Sequence, residues 1–369
     1  MAVIITVALG DRAYPIHLGA GVLERLPEAL RGLGVKGAAG LVTDDNVGPL
    51  YAARAEGLIR EAGLRCVTHV MPAGEEHKRL ATVEGICGTF LEGGLDRGGV
   101  VVALGGGVVG DVAGFAASAF MRGVPFVQIP TTLVAQVDSS VGGKTGVNHP
   151  LGKNTIGAFH QPRAVVIDLD LLRTLPEREL RAGMAEVIKH GIIADAELFA
   201  YVERQAAAIL AGDPEALRHP IQRSCEIKAA VVAADETEQG LRANLNYGHT
   251  FAHAFEAVTG YNHFLHGEAV AVGMCAAGAL ARLLGMVDEA FEKRQRACCA
   301  AYGLPTSWLE LPVEETLAAM RKDKKARAGA LKFVLPCAIG AVAHRTDVTE
   351  EQVRAALEAV RAPAEGTAI

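Results

Sequence analysis

The chain has 369 residues, of which 50% are hydrophobic and 21% are charged, with a formal net charge of −6. This composition excludes a disordered chain, and the length is sufficient for two domains that each bury a core. The acidic balance and the 5% of aromatic residues argue against a nucleic-acid partner, which requires clustered positive charge or stacking rings. Glycine is in excess, at 42 residues, and predicts many tight turns and close backbone contacts.

Residues 98–121 carry a single charge, Asp111, and are long enough to cross a bilayer. Three successive glycines, 105–107, would interrupt such a helix, so a strand, a turn and a helix are predicted here and no membrane contact. The first residues lack a basic segment and a cleavage site, and they predict a strand instead of a signal peptide. The seven cysteines form no CxxC pair, so a cytoplasmic location is expected without a disulfide framework or a thiolate zinc site.

In chain order, the first half alternates strand-like and helix-like segments. Predicted strands cover residues 41–43, 66–71, 100–104, 125–129 and 164–168, and predicted helices include 49–62 and a segment that ends near residue 91. This alternation predicts an α/β fold with a doubly wound, mostly parallel, Rossmann-like sheet.

After Pro176 the periodicity becomes helical. Predicted helices cover residues 178–194, 196–210, 216–234, 245–258, 268–284 and 287–302, and short β-like segments follow at 332–335 and 340–343. We therefore predict an α/β domain over 1–176 and a mostly α-helical domain over 177–369. The active site is expected in the cleft between them.

The segment Gly105 to Gly110 satisfies the pattern G-x-G-x-x-G between a predicted strand and a predicted helix. Such glycines let the backbone approach a pyrophosphate, but a purely structural turn also satisfies the pattern. The acidic residue expected about 20 positions later is absent. Asp44 and Asp45, at the end of an earlier strand, could replace it.

A second glycine motif surrounds Lys144. It lacks the first glycine of a P-loop, because Asp138 stands there, so an ATPase is not predicted. The polar residues between 138 and 154 instead predict a loop that binds an oxyanion-rich ligand.

Four histidines fall between residues 249 and 266. His249 and His253 are four apart on a predicted helix, which makes them a plausible ligand pair, and Glu186 and Lys189 share a face of another helix. Three protein ligands with an open position suit a catalytic metal. Spacing alone favours His249 with His253 and leaves the full ligand set open.

Several motifs together resemble the 3-dehydroquinate synthase family of sugar phosphate cyclases. The matching segments include PAGEEHK (72–78), GGGVVGD (105–111), PTTLVAQVDSSVGGKTGVNHPLGKN (130–154), GMAEVIKHG (183–191), LRANLNYGHTFAH (241–253) and HGEAV (266–270). They are spread over most of the chain.

By position, the resemblance implies that Glu186, His249 and His266 bind one divalent metal, Zn²⁺ or Co²⁺, and that His253 contacts substrate. It implies an NAD⁺ site made of Asp44, Ala73, Gly74, Glu75, Glu76, His77, Lys78, Gly107, Val108, Val109, Gly110, Asp111, Thr131, Thr132, Leu171, Leu172, Arg173 and Thr174, with Lys144 and Lys153 nearby. Other implied catalytic or substrate residues are Asp138, Lys144, Lys153, Asn154, Lys189, Lys228, Arg242 and Asn246. Arg122 would reach a neighbouring subunit's site in a homodimer, and Lys324 or Lys325 would hold phosphate.

The family's reaction would convert 3-deoxy-D-arabino-heptulosonate 7-phosphate to 3-dehydroquinate and phosphate in the shikimate pathway. The resemblance implies transient oxidation by NAD⁺, phosphate elimination, re-reduction, ring opening and aldol closure. A metal- and NAD-dependent polyol dehydrogenase, a sister sugar-phosphate cyclase and a non-catalytic binding protein are the alternatives. The lysines and Arg242 favour an anionic sugar phosphate over a polyol.

Overall fold

The computed structural model describes residues 2–326 and 331–361, and the side chains of 323–326 lie outside the description. The chain divides into two compact units. The first consists of Met1–Leu175 with Leu217–Thr237, and the second consists of Pro176–Ala216 with Glu238–Ile369. The helical segment after residue 216 therefore belongs to the same unit as the sheet.

The first unit is built on nine strands and a set of helices. The strands are β1 (Val3–Val7), β2 (Tyr14–Gly19), β3 (Ala38–Asp44), β4 (Arg65–Met71), β5 (Val100–Gly105), β6 (Phe126–Pro130), β7 (Lys144–His149), β8 (Gly152–Phe159) and β9 (Ala164–Asp168). The helices are α1 (Leu26–Gly32), α2 (Gly48–Glu61), α3 (Leu80–Glu92), α4 (Gly107–Ala119) and most of α7 (Pro214–Ala234).

Seven of these strands form one sheet in the order β1-β2-β9-β6-β5-β3-β4. Only β1, at one edge, pairs antiparallel with its neighbour, and the other pairings are parallel. The predicted doubly wound, mostly parallel sheet is confirmed.

Alternate residues of the central strands point to opposite faces of the sheet and belong to two separate hydrophobic cores. Val100 and Val102 of β5 pack with α1 and α2 on one face, and Val101 and Ala103 pack with α3 and α4 on the other. Every residue of β5 is buried, as expected of a strand that is covered on both faces. The strand, turn and helix predicted for 98–121 are confirmed by β5 and α4.

The second unit is mostly helical, as predicted. Its elements are α5 (Glu177–Ala194), α6 (Ala196–Leu210), α8 (His249–Val258), α9 (His266–Leu283), α10 (Glu289–Ala301), α11 (Val313–Ala326), α12 (Glu350–Arg361) and a hairpin of β10 (Phe333–Ala338) with β11 (Ala341–Arg345). Helix α9 is its centre and packs against α5, α8, α10 and α12.

Two predictions about local structure are wrong. The predicted loop over 138–154 becomes, from Lys144 onward, the antiparallel hairpin β7–β8, which packs on α4. The helix predicted from residue 245 begins only at His249, because Leu241–Asn246 forms a 3-10 helix and Gly248 adopts a left-handed φ of 79°. Across the described ranges, no helix is long and apolar enough to cross a membrane.

Candidate functional site

Three ligand-type side chains converge in the second unit. One ligand atom from each of Glu186, His249 and His266 lies within 4.8 Å of the other two. The Nε2 atoms of His249 and His266 are 3.8 and 3.6 Å from Oε1 of Glu186. His253 is not in this group, although its ring centroid is 5.5 Å from that of His249.

The helices hold these three residues through close backbone packing. Glu186 lies within α5, His249 begins α8 and His266 begins α9. A Cβ at position 267 would lie 1.9 Å from the carbonyl oxygen of Ala182, and a Cβ at Gly273 would lie 2.3 Å from that of Gly248. Because these positions are glycines, α9 can approach both α5 and α8 at the level of the ligands.

The chemistry of this set fits a divalent metal. Glu186 is fully buried, and its Oε1 accepts no hydrogen bond from any residue that the structure describes. Nζ of Lys189 forms an ion pair with Oε2 of the same carboxylate. A buried carboxylate facing two imidazole nitrogens is a common donor set for Zn²⁺ and Co²⁺.

The protonation state of the histidines also suits metal binding. Burial, followed by the charge of Lys189, holds the pKa of His249 well below its usual value, so the imidazole is neutral at pH 7. Nδ1 of His249 lies 3.2 Å from the backbone carbonyl of Tyr247. A neutral ring that donates Nδ1–H to this carbonyl keeps the Nε2 lone pair for a metal.

In the first unit, the glycine turn joins β5 to α4. The first intrahelical hydrogen bond of α4 runs from Gly110 N to Gly106 O, which leaves the preceding amides of the helix without a helical acceptor. A Cβ on Gly106 would lie 3.1 Å from Cγ2 of Thr132, and one on Gly107 would lie 3.0 Å from Oγ of Ser139. Because these positions carry no side chain, the free amides at the N-terminus of α4 are accessible, which suits the pyrophosphate of a dinucleotide.

Two further features of the first unit fit a dinucleotide. Oγ1 of Thr131 is buried without a hydrogen-bond partner among the described residues. Asp44 ends β3, and its carboxylate accepts the amides of Asn46 and Val47 at 3.0 and 2.8 Å, which starts the turn into α2. A carboxylate at the end of a parallel strand is in the position from which a ribose is recognised.

A polar network surrounds Lys78 at the same end of the sheet. Its Nζ donates to Asp111 Oδ2 at 2.5 Å and to Asn154 Oδ1 at 2.6 Å. Nearby, Oε1 of Glu75 accepts from Asn148 at 2.8 Å and lies 3.9 Å from Nζ of Lys153. The network therefore contains five of the residues implied by the family resemblance, from three separate motifs, together with Asn148 of the polar segment 138–154.

The remaining candidates of the first unit lie at four places. Nζ of Lys228 donates to Asp138 Oδ1 at 2.5 Å, so these two are brought together. Leu171–Thr174 lies in a 3-10 helix after β9, where Thr174 Oγ1 is 2.7 Å from the hydroxyl of Tyr51. Ala73–Lys78 forms the turn after β4, with Glu76 and His77 at its exposed end. Lys144 is an exposed residue at the start of β7.

Other candidates of the second unit lie near the start of α8. Arg242 is buried in the 3-10 helix Leu241–Asn246, and Nδ2 of Asn246 donates to Glu238 at 2.8 Å. Lys324 and Lys325 lie outside the residues whose side chains are described. In the first unit, Arg122 is exposed and has a left-handed φ of 66°. Its contribution to a neighbouring subunit stays a prediction.

Sequence reasoning missed Glu256, whose Oε1 is 3.0 Å from Nδ1 of His266. It lies seven residues after His249, hence on the same face of α8, but many glutamates stand at such spacings. Only the fold brings α9 against it.

Comparisons with known proteins agree with this geometry. Family models described as 3-dehydroquinate synthase N-terminal and C-terminal match residues 68–182 and 183–326. A 2-epi-5-epi-valiolone synthase from Streptomyces hygroscopicus, solved with NAD⁺ and Zn²⁺, is 30% identical with a TM-score of 0.87, covering 96% of this chain and 98% of its own. The chain therefore belongs to the 3-dehydroquinate synthase family of sugar phosphate cyclases.

Two other solved structures share this fold at lower sequence identity. A 2-deoxy-scyllo-inosose synthase, complexed with carbaglucose-6-phosphate, NAD⁺ and Co²⁺, is 25% identical, with a TM-score of 0.87 and coverage of 97% of this chain and 99% of that one. A probable glycerol dehydrogenase from Sinorhizobium meliloti is 20% identical with a TM-score of 0.63, covering 93% and 94%. The second likeness concerns the fold alone.

Proposed function

We propose that this protein is a 3-dehydroquinate synthase, which converts 3-deoxy-D-arabino-heptulosonate 7-phosphate to 3-dehydroquinate and phosphate. The observation that carries the proposal is the family match over both halves of the chain, within which Glu186, His249 and His266 converge. We further propose that the protein uses NAD⁺ and one Zn²⁺ or Co²⁺ per subunit, and that it acts in the shikimate pathway as a homodimer.

The proposed cofactor roles follow from the local geometry. Glu186, His249 and His266 would hold the metal, while the glycine turn, Thr131 and Asp44 would hold the dinucleotide. When bound, NAD⁺ supplies a hydride acceptor and donor, and the divalent ion supplies a Lewis acid for the hydroxyl that is transiently oxidised.

The protein's own side chains would hold the anionic substrate. Arg242 is 2% exposed, and a guanidinium with this burial can bind a carboxylate through two parallel hydrogen bonds. Lys228 and Lys189 are also buried and carry compact positive charges suited to oxygen anions. Asp138 accepts from Lys228, which fixes the direction of that ammonium group. Rigid cations of this kind hold one substrate conformer, as ring opening and aldol closure require.

A sister sugar-phosphate cyclase is the second candidate. The 30% and 25% identities to the valiolone and inosose synthases favour it, because each relative covers nearly the whole chain. The two candidates differ in substrate chemistry, since the heptulosonate phosphate has a carboxylate and the carbaglucose-6-phosphate bound by the inosose synthase does not. Arg242 is the residue that we assign to that carboxylate.

The deciding assay supplies purified protein and divalent metal with a catalytic amount of NAD⁺. With the heptulosonate phosphate, we expect many phosphates released per NAD⁺, formation of 3-dehydroquinate and no lasting NADH. Turnover of a sugar phosphate without a carboxylate, such as glucose 6-phosphate, and none of the heptulosonate phosphate would establish a sister cyclase. Steady accumulation of NADH with a polyol would establish a dehydrogenase.

A variant at Arg242 tests the carboxylate assignment separately. Arg242→Lys keeps the charge but loses the paired hydrogen bonds. Hydrogen bonds to charged groups contribute about 1.5–3 kcal/mol, so kcat/KM for the heptulosonate phosphate should fall at least about 10-fold. An unchanged kcat/KM in a folded variant would contradict the role of Arg242.

A further inference from the structure

Glu256 is a buried acid that lies beside one of the three converging side chains. It is 4% exposed, and its Oε1 is 3.0 Å from Nδ1 of His266. Burying a carboxylate is costly unless a hydrogen bond or an opposite charge compensates. The imidazole of His266 supplies such a partner.

The position of Glu256 on α8 determines which nitrogen of His266 it contacts. Glu256 follows His249 by seven residues, which is two turns, so both project from one face of the helix. Helix α8 thus presents His249 itself and, further along, the acid that contacts His266 on α9. While Nδ1 of His266 faces Glu256, its Nε2 faces Glu186 Oε1 at 3.6 Å.

We propose that Glu256 is a positioning residue, which fixes the tautomer and the ring orientation of His266 so that Nε2 is available to a divalent metal. Accepting Nδ1–H leaves the lone pair on Nε2, and the negative charge raises the basicity of the ring. The inference rests on the proposed function only in that the site must bind a divalent ion. The identity of the sugar substrate does not enter.

Glu256 also has a structural contact that the test must separate from this role. Its backbone carbonyl accepts from Tyr261 N at 2.8 Å and from Thr259 Oγ1 at 3.1 Å, at the start of the loop that leads to His266. These contacts involve the main chain of Glu256 and survive a change of its side chain. Thr259→Val removes one of them without touching His266, which makes it the matched control.

The experiment measures Zn²⁺ affinity by chelator competition and records the d–d spectrum of the Co²⁺ form for five proteins: wild type, Glu256→Gln, Glu256→Ala, Thr259→Val and His266→Ala. Loss of the partner of a metal-binding histidine typically weakens affinity about 10- to 100-fold. We expect about 10-fold for Glu256→Gln, whose amide oxygen can still accept the bond, and nearer 100-fold for Glu256→Ala. Thr259→Val should match wild type, and His266→Ala sets the scale for a lost ligand.

The Co²⁺ spectrum is the readout that a purely structural role would not move. We expect the ligand-field band of Glu256→Ala to shift and weaken, with partial recovery in Glu256→Gln. Wild-type affinity and spectrum in Glu256→Ala would overturn the inference, and so would equal losses in Thr259→Val and Glu256→Ala. If wild type itself bound no divalent ion, the proposed metal would be refuted instead, and the role of Glu256 with it. Failure with the heptulosonate phosphate alone would leave these metal measurements standing.

Discussion

The ion pair of Lys78 and Asp111 offers a test of how much a buried charge contributes in the first unit. The side chains are 5% and 18% exposed, and Nζ lies 2.5 Å from Oδ2. Lys78→Met keeps the aliphatic stem but removes the charge and both hydrogen bonds, including the one to Asn154. Removing one partner of a buried pair costs about 3–5 kcal/mol, and the partial exposure of Asp111 places the expected loss near about 3 kcal/mol at pH 7.5.

The loss should depend on pH in a direction that the structure fixes. Burial raises the pKa of Asp111, and Lys78 opposes that rise. Without Lys78 the pKa rises further, so the folded variant binds a proton more tightly than its unfolded chain does. The free energy of unfolding of the variant therefore falls, relative to wild type, as the pH increases above the ordinary carboxyl value of about 4. The penalty should be smaller at pH 5 than at pH 7.5.

Urea unfolding followed by far-UV circular dichroism at both pH values measures this effect. Arg54→Met is the matched control, because the Arg54–Glu24 pair has the same 2.5 Å separation but is 44% and 55% exposed. Exposed pairs contribute about 0–1 kcal/mol, so the control should lose less than about 1 kcal/mol. If Lys78→Met lost no more than the control, or lost more at pH 5 than at pH 7.5, the assignment of a buried, charge-compensated Asp111 would be wrong.

Two further predictions concern α9. Gly267→Ala places a methyl group 1.9 Å from Ala182 O, so we expect about 3 kcal/mol or more of destabilisation and weaker Zn²⁺ binding. The control is Gly57→Ala, where a Cβ would have no atom within 4 Å, and it should be neutral or stabilising by up to about 1 kcal/mol. Equal effects of the two variants in thermal unfolding would contradict the packing argument. Glu268 accepts hydrogen bonds from Arg178 at 2.7 and 2.8 Å, and although burial opposes the shift, these bonds lower the pKa of Glu268. Glu268→Gln should therefore cost about 1 kcal/mol at pH 7, and the cost should shrink below pH 4. A cost that did not change with pH in urea unfolding would refute this prediction.

The regular part of the fold could be predicted because its signals are local. The strand predicted at 164–168 coincides with β9, because a run of five residues with three β-branched side chains favours a strand over a buried helix. The helix predicted at 196–210 coincides with α6. Asp195 is its N-cap, and the side chain of Asp195 accepts hydrogen bonds from the amides of Glu197 and Leu198. The cap marks the start of such a helix, and the periodic apolar face indicates how far it extends.

The hairpin β7–β8 could not be predicted in the same way. Its residues alternate in burial only weakly, and three glycines lie within it, which is typical of a loop. The strands form because they pair with each other and pack on α4, where Gly114 leaves room for the methyl group of Thr145. These contacts join distant segments and leave no local pattern.

The candidate metal centre shows the same limit. Spacing selected His249 with His253, which share a helix face, whereas the structure groups His249 with Glu186 and His266 from two other helices. The family resemblance named that set from positions, and spacing could not have done so. Neither the spacing nor the family resemblance indicated Glu256, because its contact with His266 depends on where α9 begins.

The glycines between α5, α8 and α9 have a consequence for how the protein can change. Where main chains touch directly, no side-chain volume sets the gap between helices, so exchanging aliphatic residues elsewhere in the unit should hardly alter the spacing of Glu186, His249 and His266. Outer layers of these helices can then vary in sequence, or be redesigned for stability, while the ligand geometry stays constant. Gly248, Gly267 and Gly273 are the positions that such variation must leave untouched.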